Sequence, residues 1–206
     1  MAVSFDLFGT LAAADTPADP AVAIAAELRE RGVAVPTDFA SAYHETHIDA
    51  PPGAEVPLPA HVSAALSSRG VEAPNNAARR AVVAAFDPEV TRRDGALDAI
   101  EAARECGPVA VCANCRVPEL ARRTLIRADL RDAFDCVVTS VACGWRKPDA
   151  RAFETVARRL GTPVFELVHV GNDPATDGGV VDAGGRFVDV RETPLSALGT
   201  ALEGPP

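Results

Sequence analysis

The chain has 206 residues, 48% of them hydrophobic, and a formal net charge of −9, which allows one well-buried core plus a smaller appended unit. An acidic balance disfavours nucleic acids and anionic membrane surfaces, which demand clustered Lys and Arg, so a small molecule is the expected partner. The apolar start is broken by Asp6 and has no basic lead-in, and five cysteines are an odd number; we therefore expect a cytoplasmic protein with reduced thiols, without signal peptide, membrane span or disulfide framework.

Five apolar runs bounded by turn residues predict strands at Val3 to Phe8, Val109 to Ala113, Cys136 to Ser140, Leu167 to Val170 and Phe187 to Val190. None alternates strictly, as expected for parallel strands covered on both faces. Roughly a hundred residues separate the first strand from the second, against about a dozen for a minimal crossover, so this stretch must hold a separate unit. Helical spacing appears there at Pro20 to Arg31, Asp38 to Ile48, Pro59 to Ser68 and Pro74 to Phe86, with a Pro51-Pro52-Gly53 break, and Asp94 to Glu105 leads back to the sheet. Arg116 to Ala128 and Asp149 to Leu160 supply helices between the later strands. The expected fold is α/β, a Rossmann-like doubly wound parallel sheet formed by residues 1–14 and 91–206, with an α-helical cap formed by 15–90.

In an open parallel sheet, ligands bind beyond the carboxyl ends of the strands. Four polar clusters follow the apolar runs: Asp6-Leu7-Phe8-Gly9-Thr10, Cys112-Ala113-Asn114, Arg146-Lys147-Pro148-Asp149, and Gly171-Asn172-Asp173-Pro174-Ala175-Thr176-Asp177. A carboxylate so placed can act as a nucleophile and form a covalent intermediate that water cleaves. Lys147 is the chain's only lysine among 20 basic residues, and its place in the third cluster marks it as functional.

The order and spacing of these clusters resemble the four motifs of the haloacid dehalogenase-like superfamily, and the insertion resembles its helical cap. That resemblance implies Asp6 as nucleophile, Lys147 as the screening cation, and Asn114 with Ala113 as the substrate-binding pair. It also implies Mg²⁺ held by Asp6, the Phe8 carbonyl, Asn172, Asp173 and Asp177, and a small anionic, phosphorylated substrate.

Three positions depart from the phosphatase pattern. Phe8 replaces the Asp that works as general acid and base, Ala113 replaces a small hydroxyl residue, and Asn172 replaces a charged metal ligand. An aromatic residue at the Phe8 position is similar to the 2-haloacid dehalogenases, whose halide leaves without a proton. Those enzymes grip the substrate carboxylate with an Arg, for which Arg29 and Arg31 are positional candidates. Phosphonoacetaldehyde hydrolases need a cap lysine, which this chain lacks. A catalytically impaired member that binds a metabolite or protein is the competing class. Two further groups invite attention: His44, Glu45, His47 and Asp49 on one expected helix, with His44 and His47 sharing a face, and Cys112 with Cys115 at CxxC spacing, more consistent with buried thiols than with zinc.

Overall fold

The computed structural model describes residues 1–203. Strands β1 (Ala2–Phe5), β4 (Val109–Ala113) and β6 (Leu167–Gly171) are buried along their whole length, which is why their sequences run apolar without alternation. With β5 (Cys136–Thr139) and β7 (Arg186–Asp189) they form one parallel sheet in the order β5-β4-β1-β6-β7. The chain winds outward from β1 to β4 and β5, then crosses back to add β6 and β7 on the other side. The switch point therefore lies at β1, between β4 and β6, where a crevice opens at the strands' carboxyl ends.

The first strand stops at Phe5 rather than Phe8. Leu7 turns the chain instead, its carbonyl accepting from Leu11 and Ala12, both at 3.0 Å. A two-stranded antiparallel ribbon that the sequence pattern does not predict follows, β2 (Ala12–Ala14) pairing with β3 (Val90–Arg92) in the register Ala12↔Arg92 to Ala14↔Val90. Runs of three residues with at most one buried position carry too little periodicity to detect.

Between the ribbon strands lie α1 (Pro20–Glu30), α2 (Phe39–His44), α3 (Leu58–Ser67) and α4 (Ala77–Ala85). Asp19 caps α1 by accepting from the Val22 N–H at 3.0 Å, with Pro20 in the first turn. The helix expected over Asp38 to Ile48 ends at His44, so Glu45, His47 and Asp49 are not on it. The four helices bury Ile24, Leu28, Phe39, Leu58, Val62, Leu66 and Val82 in a core of their own, which Cys115, Val117 and Leu120 join from beneath.

Helices α5 (Ala96–Cys106), α6 (Leu120–Arg127) and α8 (Ala150–Leu160) cover the sheet. The predicted helix from Arg116 starts only at Leu120, because Arg116 and Val117 belong to the loop after β4. The short α7 (Ser140–Cys143), α9 (Gly179–Asp182) and the terminal α10 (Leu198–Glu203) had no predicted counterpart; the first two are a single turn each, too short for a 3.6-residue pattern. Among the described residues, no helix is long and apolar enough to cross a membrane.

Candidate active site

Asp6 is the first residue past β1, and its N–H still donates to the Val170 carbonyl at 2.8 Å, so the strand register fixes where its carboxylate points. Lys147 reaches the same place from the loop before α8. The ammonium is buried at 3% exposure and all three protons are used: it donates to Asp6 Oδ1 at 2.8 Å, Asp177 Oδ1 at 2.6 Å and the Cys112 carbonyl at 2.7 Å. Two carboxylates thus share one cation, and among the described residues no side chain donates to Asp6 Oδ2.

Asp177 is filled on both oxygens. Its Oδ2 accepts the N–H groups of Asn172 and Asp173, each at 3.0 Å, and its Oδ1 faces His169 Nε2 at 3.2 Å as well as Lys147. Since Lys147 has no proton left for the ring, Nε2–H of His169 donates to Asp177 and Nδ1 accepts from the Ser4 hydroxyl at 2.8 Å. A buried chain runs Ser4, His169, Asp177, Lys147, Asp6.

Burial drives the charges in this chain toward neutrality, and contact resists it. For Asp177, the His169 and Lys147 hydrogen bonds and charges overcome burial and hold the carboxyl well below the ordinary range. Burial alone would lower the Lys147 ammonium, but Asp6, Cys112 and Asp177 together raise it. His169 is pushed down to about 4 by burial and by the neighbouring Lys147 charge, so the ring is neutral. Burial raises the Asp6 carboxyl above the ordinary 3.8, with Lys147 opposing and the like charge of Asp177 adding to the rise.

Asp6, Phe8, Asn114, Lys147, Asn172, Asp173, Thr176 and Asp177 surround a cavity of about 240 Å³. Seven of the eight sequence candidates therefore converge, and Ala113 alone stays inside β4 without lining the cavity. Asn114 also does something the sequence does not reveal. Its Oδ1 accepts the Lys147 N–H at 2.8 Å and its Nδ2 donates to the Lys147 carbonyl at 2.9 Å, which clamps the lysine loop and leaves one amide proton for a ligand. Gly9 sits at φ +84°, and a Cβ there would meet Asn172 Nδ2 at 2.8 Å, so glycine is required for the turn to close on the fourth motif.

The oxygen donors do not fit a divalent cation. Phe8 offers only its carbonyl, Asn172 Oδ1 already accepts from Thr10 Oγ1 at 3.0 Å, and Asp173 is folded onto its own loop through Ala175 N at 3.0 Å and Thr176 Oγ1 at 3.1 Å. With Asp177 saturated, the carboxylates left are Asp6, beside an ammonium, and Asp173, each of whose oxygens already accepts a loop hydrogen bond, and among the described residues no group of three or more His, Cys, Asp or Glu side chains is placed to hold a metal. Hard divalent ions need several oxygen ligands.

Neither Arg29 nor Arg31 lines the cavity; Arg31 pairs with Glu27 one turn back in α1. Burial pushes the Cys112 thiol up to about 12, and Cys115 donates to the Val117 carbonyl at 3.3 Å, so both behave as inert buried thiols. Sequence reasoning passed over His169 and Ser4; the available signal was one imidazole inside an apolar strand, two residues before Gly171.

The sequence pattern of the haloacid dehalogenase-like hydrolases matches residues 1–179. The chain belongs to that family. Among solved structures, this haloacid dehalogenase-like hydrolase is similar to a 2-haloacid dehalogenase from Pseudomonas syringae pv. Tomato DC3000, with 20% identity, 98% of this chain and 96% of that one covered, and a TM-score of 0.62. A HAD phosphatase from Thermococcus onnurineus shares 19% identity over 98% of both chains at a TM-score of 0.57. The HAD-hydrolase YfnB from Bacillus subtilis, bound to magnesium, shares 19% identity over 90% of this chain and 86% of its own at 0.54. No curated protein matches the chain. At these identities the solved structures establish the fold of this hydrolase and not its substrate.

Proposed function

We propose that the chain hydrolyses a small phosphorylated metabolite through a covalent intermediate on Asp6. The observation that carries this reading is the Lys147 ammonium, held at 2.8 Å from Oδ1 while the Asp6 carboxylate lines the cavity. In the first step Asp6 Oδ2 attacks phosphorus, and the ester P–O bond breaks with its electron pair leaving on the departing oxygen. Water then attacks phosphorus, the P–Oδ2 bond breaks, and inorganic phosphate and the Asp6 carboxylate are restored. Lys147 offsets the charge of Asp6 as the anionic phosphoryl group approaches, and Asn114 offers its remaining amide proton to a phosphoryl oxygen. The four helices between β2 and β3 act as a cap over the site, with Phe8 joining their apolar core.

Phe8 cannot protonate a leaving oxygen, so substrates whose leaving group is stable as an anion are preferred. The same residue, together with Asn172, favours a second reading in which Asp6 displaces halide from a 2-haloacid. Single-turnover assays separate the two: phosphate release from phenyl phosphate, absent in Asp6→Asn, supports the first, and halide release from 2-chloropropionate in its place supports the second. If wild type and Asp6→Asn are indistinguishable on both, the nucleophile assignment fails.

A further inference from the structure

A second cavity of about 380 Å³ draws on the same two loops that supply Asn114 and Lys147 to the Asp6 cavity, and three of the chain's four histidines line it. We propose that this cavity, walled by Tyr43, His44, His47, His61, Arg116 and Arg146, binds a second anionic group, a carboxylate or phosphate, on the same substrate whose phosphoryl group meets Asp6. The inference rests on the phosphoryl-transfer reading and names the class of substrate: a small phosphate ester with another negative charge.

Charge balance is the first argument. The protein as a whole is strongly acidic, yet the acids at this cavity are already engaged. Glu45 pairs with Arg69, and Glu55 accepts from the Ser140 hydroxyl at 2.6 Å and lies 3.8 Å from Arg146 Nε. Arg116 has no carboxylate partner among the described residues, and its Nε is buried without any hydrogen bond. An unpartnered guanidinium at a cavity wall is costly unless a ligand satisfies it, because its donors are planar, fixed and permanently charged.

The second argument is connectivity. Asn114 and Arg116 are two residues apart, no more than about 7 Å of chain, and Arg146 directly precedes Lys147. Each of these two loops therefore gives one residue to the Asp6 cavity and one to its neighbour. Ser140 pins the arrangement, accepting from the Cys115 N–H at 2.8 Å while donating to Glu55. The proposal therefore requires a ligand only a few carbon atoms long between its two anionic groups.

The histidines suit an anion better than a metal. Nε2–H of His47 donates to the Ala42 carbonyl and that of His61 to the Tyr43 carbonyl, both at 2.6 Å, so Nδ1 is the free nitrogen on each ring. Burial lowers His61 below 6.5, with Arg116, His47 and His44 adding to the effect. An anion seated beside His61 favours its protonated form and turns Nδ1 into a donor.

Phenyl phosphate and 3-carboxyphenyl phosphate have closely matched leaving groups and differ by one carboxylate. The wild type is expected to prefer the carboxylated ester by about 10-fold or more in kcat/KM, the scale of one or two charge-assisted hydrogen bonds. Arg116→Gln should bring that ratio to within about twofold of unity, and Arg116→Lys should restore part of it. Independently of turnover, imidazole resonances of His44, His47 and His61 in Asp6→Asn should shift on adding 3-carboxyphenyl phosphate and stay still with phenyl phosphate. Equal shifts with both esters, or no shift at millimolar 3-carboxyphenyl phosphate, overturns the proposal. Hydrolysis of phenyl phosphate that survives in Asp6→Asn removes the covalent mechanism alone, and the resonances still judge the cavity.

Discussion

Lys147 holds one positive charge between two carboxylates that would otherwise repel across a buried site. Replacing it with Met leaves Asp6 and Asp177 buried without a counter-charge, and losing one partner of a buried ionic cluster costs about 3–5 kcal/mol. Urea unfolding of Lys147→Met is expected to show a loss of that order together with loss of turnover; a change under about 1 kcal/mol would mean that the cluster reorganises. His169 contributes through pH. Its folded value of about 4 lies below the ordinary 6.5, so the unfolded chain binds the extra proton first. Stability from this residue is complete above pH 6.5 and is lost as pH falls toward 4, by at most about 3 kcal/mol. A plot of Tm against pH should fall through that window for the wild type and flatten for His169→Gln. Asp6 has the opposite sign: burial raises its pKa, so the acid limb of kcat/KM is expected to lie above the ordinary aspartate value of about 3.9.

At the level of elements, the turn after β1 and the loop after β6 close on each other through Gly9 and Gly171. Gly9→Ala places a methyl group against Asn172 at φ +84°, and Gly171→Ala drives one into the Asp177 carboxylate. Each is expected to lower stability by at least about 1 kcal/mol by denaturant titration, with greater loss of activity for Gly171→Ala because Asp177 positions Lys147. The five sheet strands and the longer helices were legible in the sequence because each carries enough consecutive residues for a period to show. The ribbon β2 and β3 was not, and α2 ended at His44, with Glu45 beyond it in extended backbone and paired with Arg69. Asp6, Lys147, Asn172 and Asp177 were readable as polar residues at strand ends, whereas Arg116 and His169 were not: one sits in a loop that reads as the start of a helix, the other inside an apolar run. Their roles come from partners distant in the chain, as Ser4 and His169 show at 165 residues apart.

Across the whole molecule, the distribution of oxygen donors sets the response to metal. With Asp177 saturated and Asn172 neutral, phosphate release is expected to change by less than about twofold between excess EDTA and millimolar Mg²⁺; a tenfold stimulation would show that Asp173 or Asp177 swings away from its present partners. The four-helix insert joins the sheet unit at paired residues Ala14 and Val90 and is also tied to it by the Leu58 N–H on the Arg116 carbonyl and the Arg146 N–H on the Gly53 carbonyl, both at 2.9 Å, so a turn of the helices about the ribbon has to break these two bonds. The burial of Lys147 also has a practical reach. Because it is the chain's only lysine and is sealed as an ammonium beneath Asp6, the native surface presents no side-chain amine to acylating reagents. Acylation at position 147 then proceeds only as fast as the fold opens, which makes this one nitrogen a built-in clock for unfolding, and ligands that hold the two cavities together should slow it.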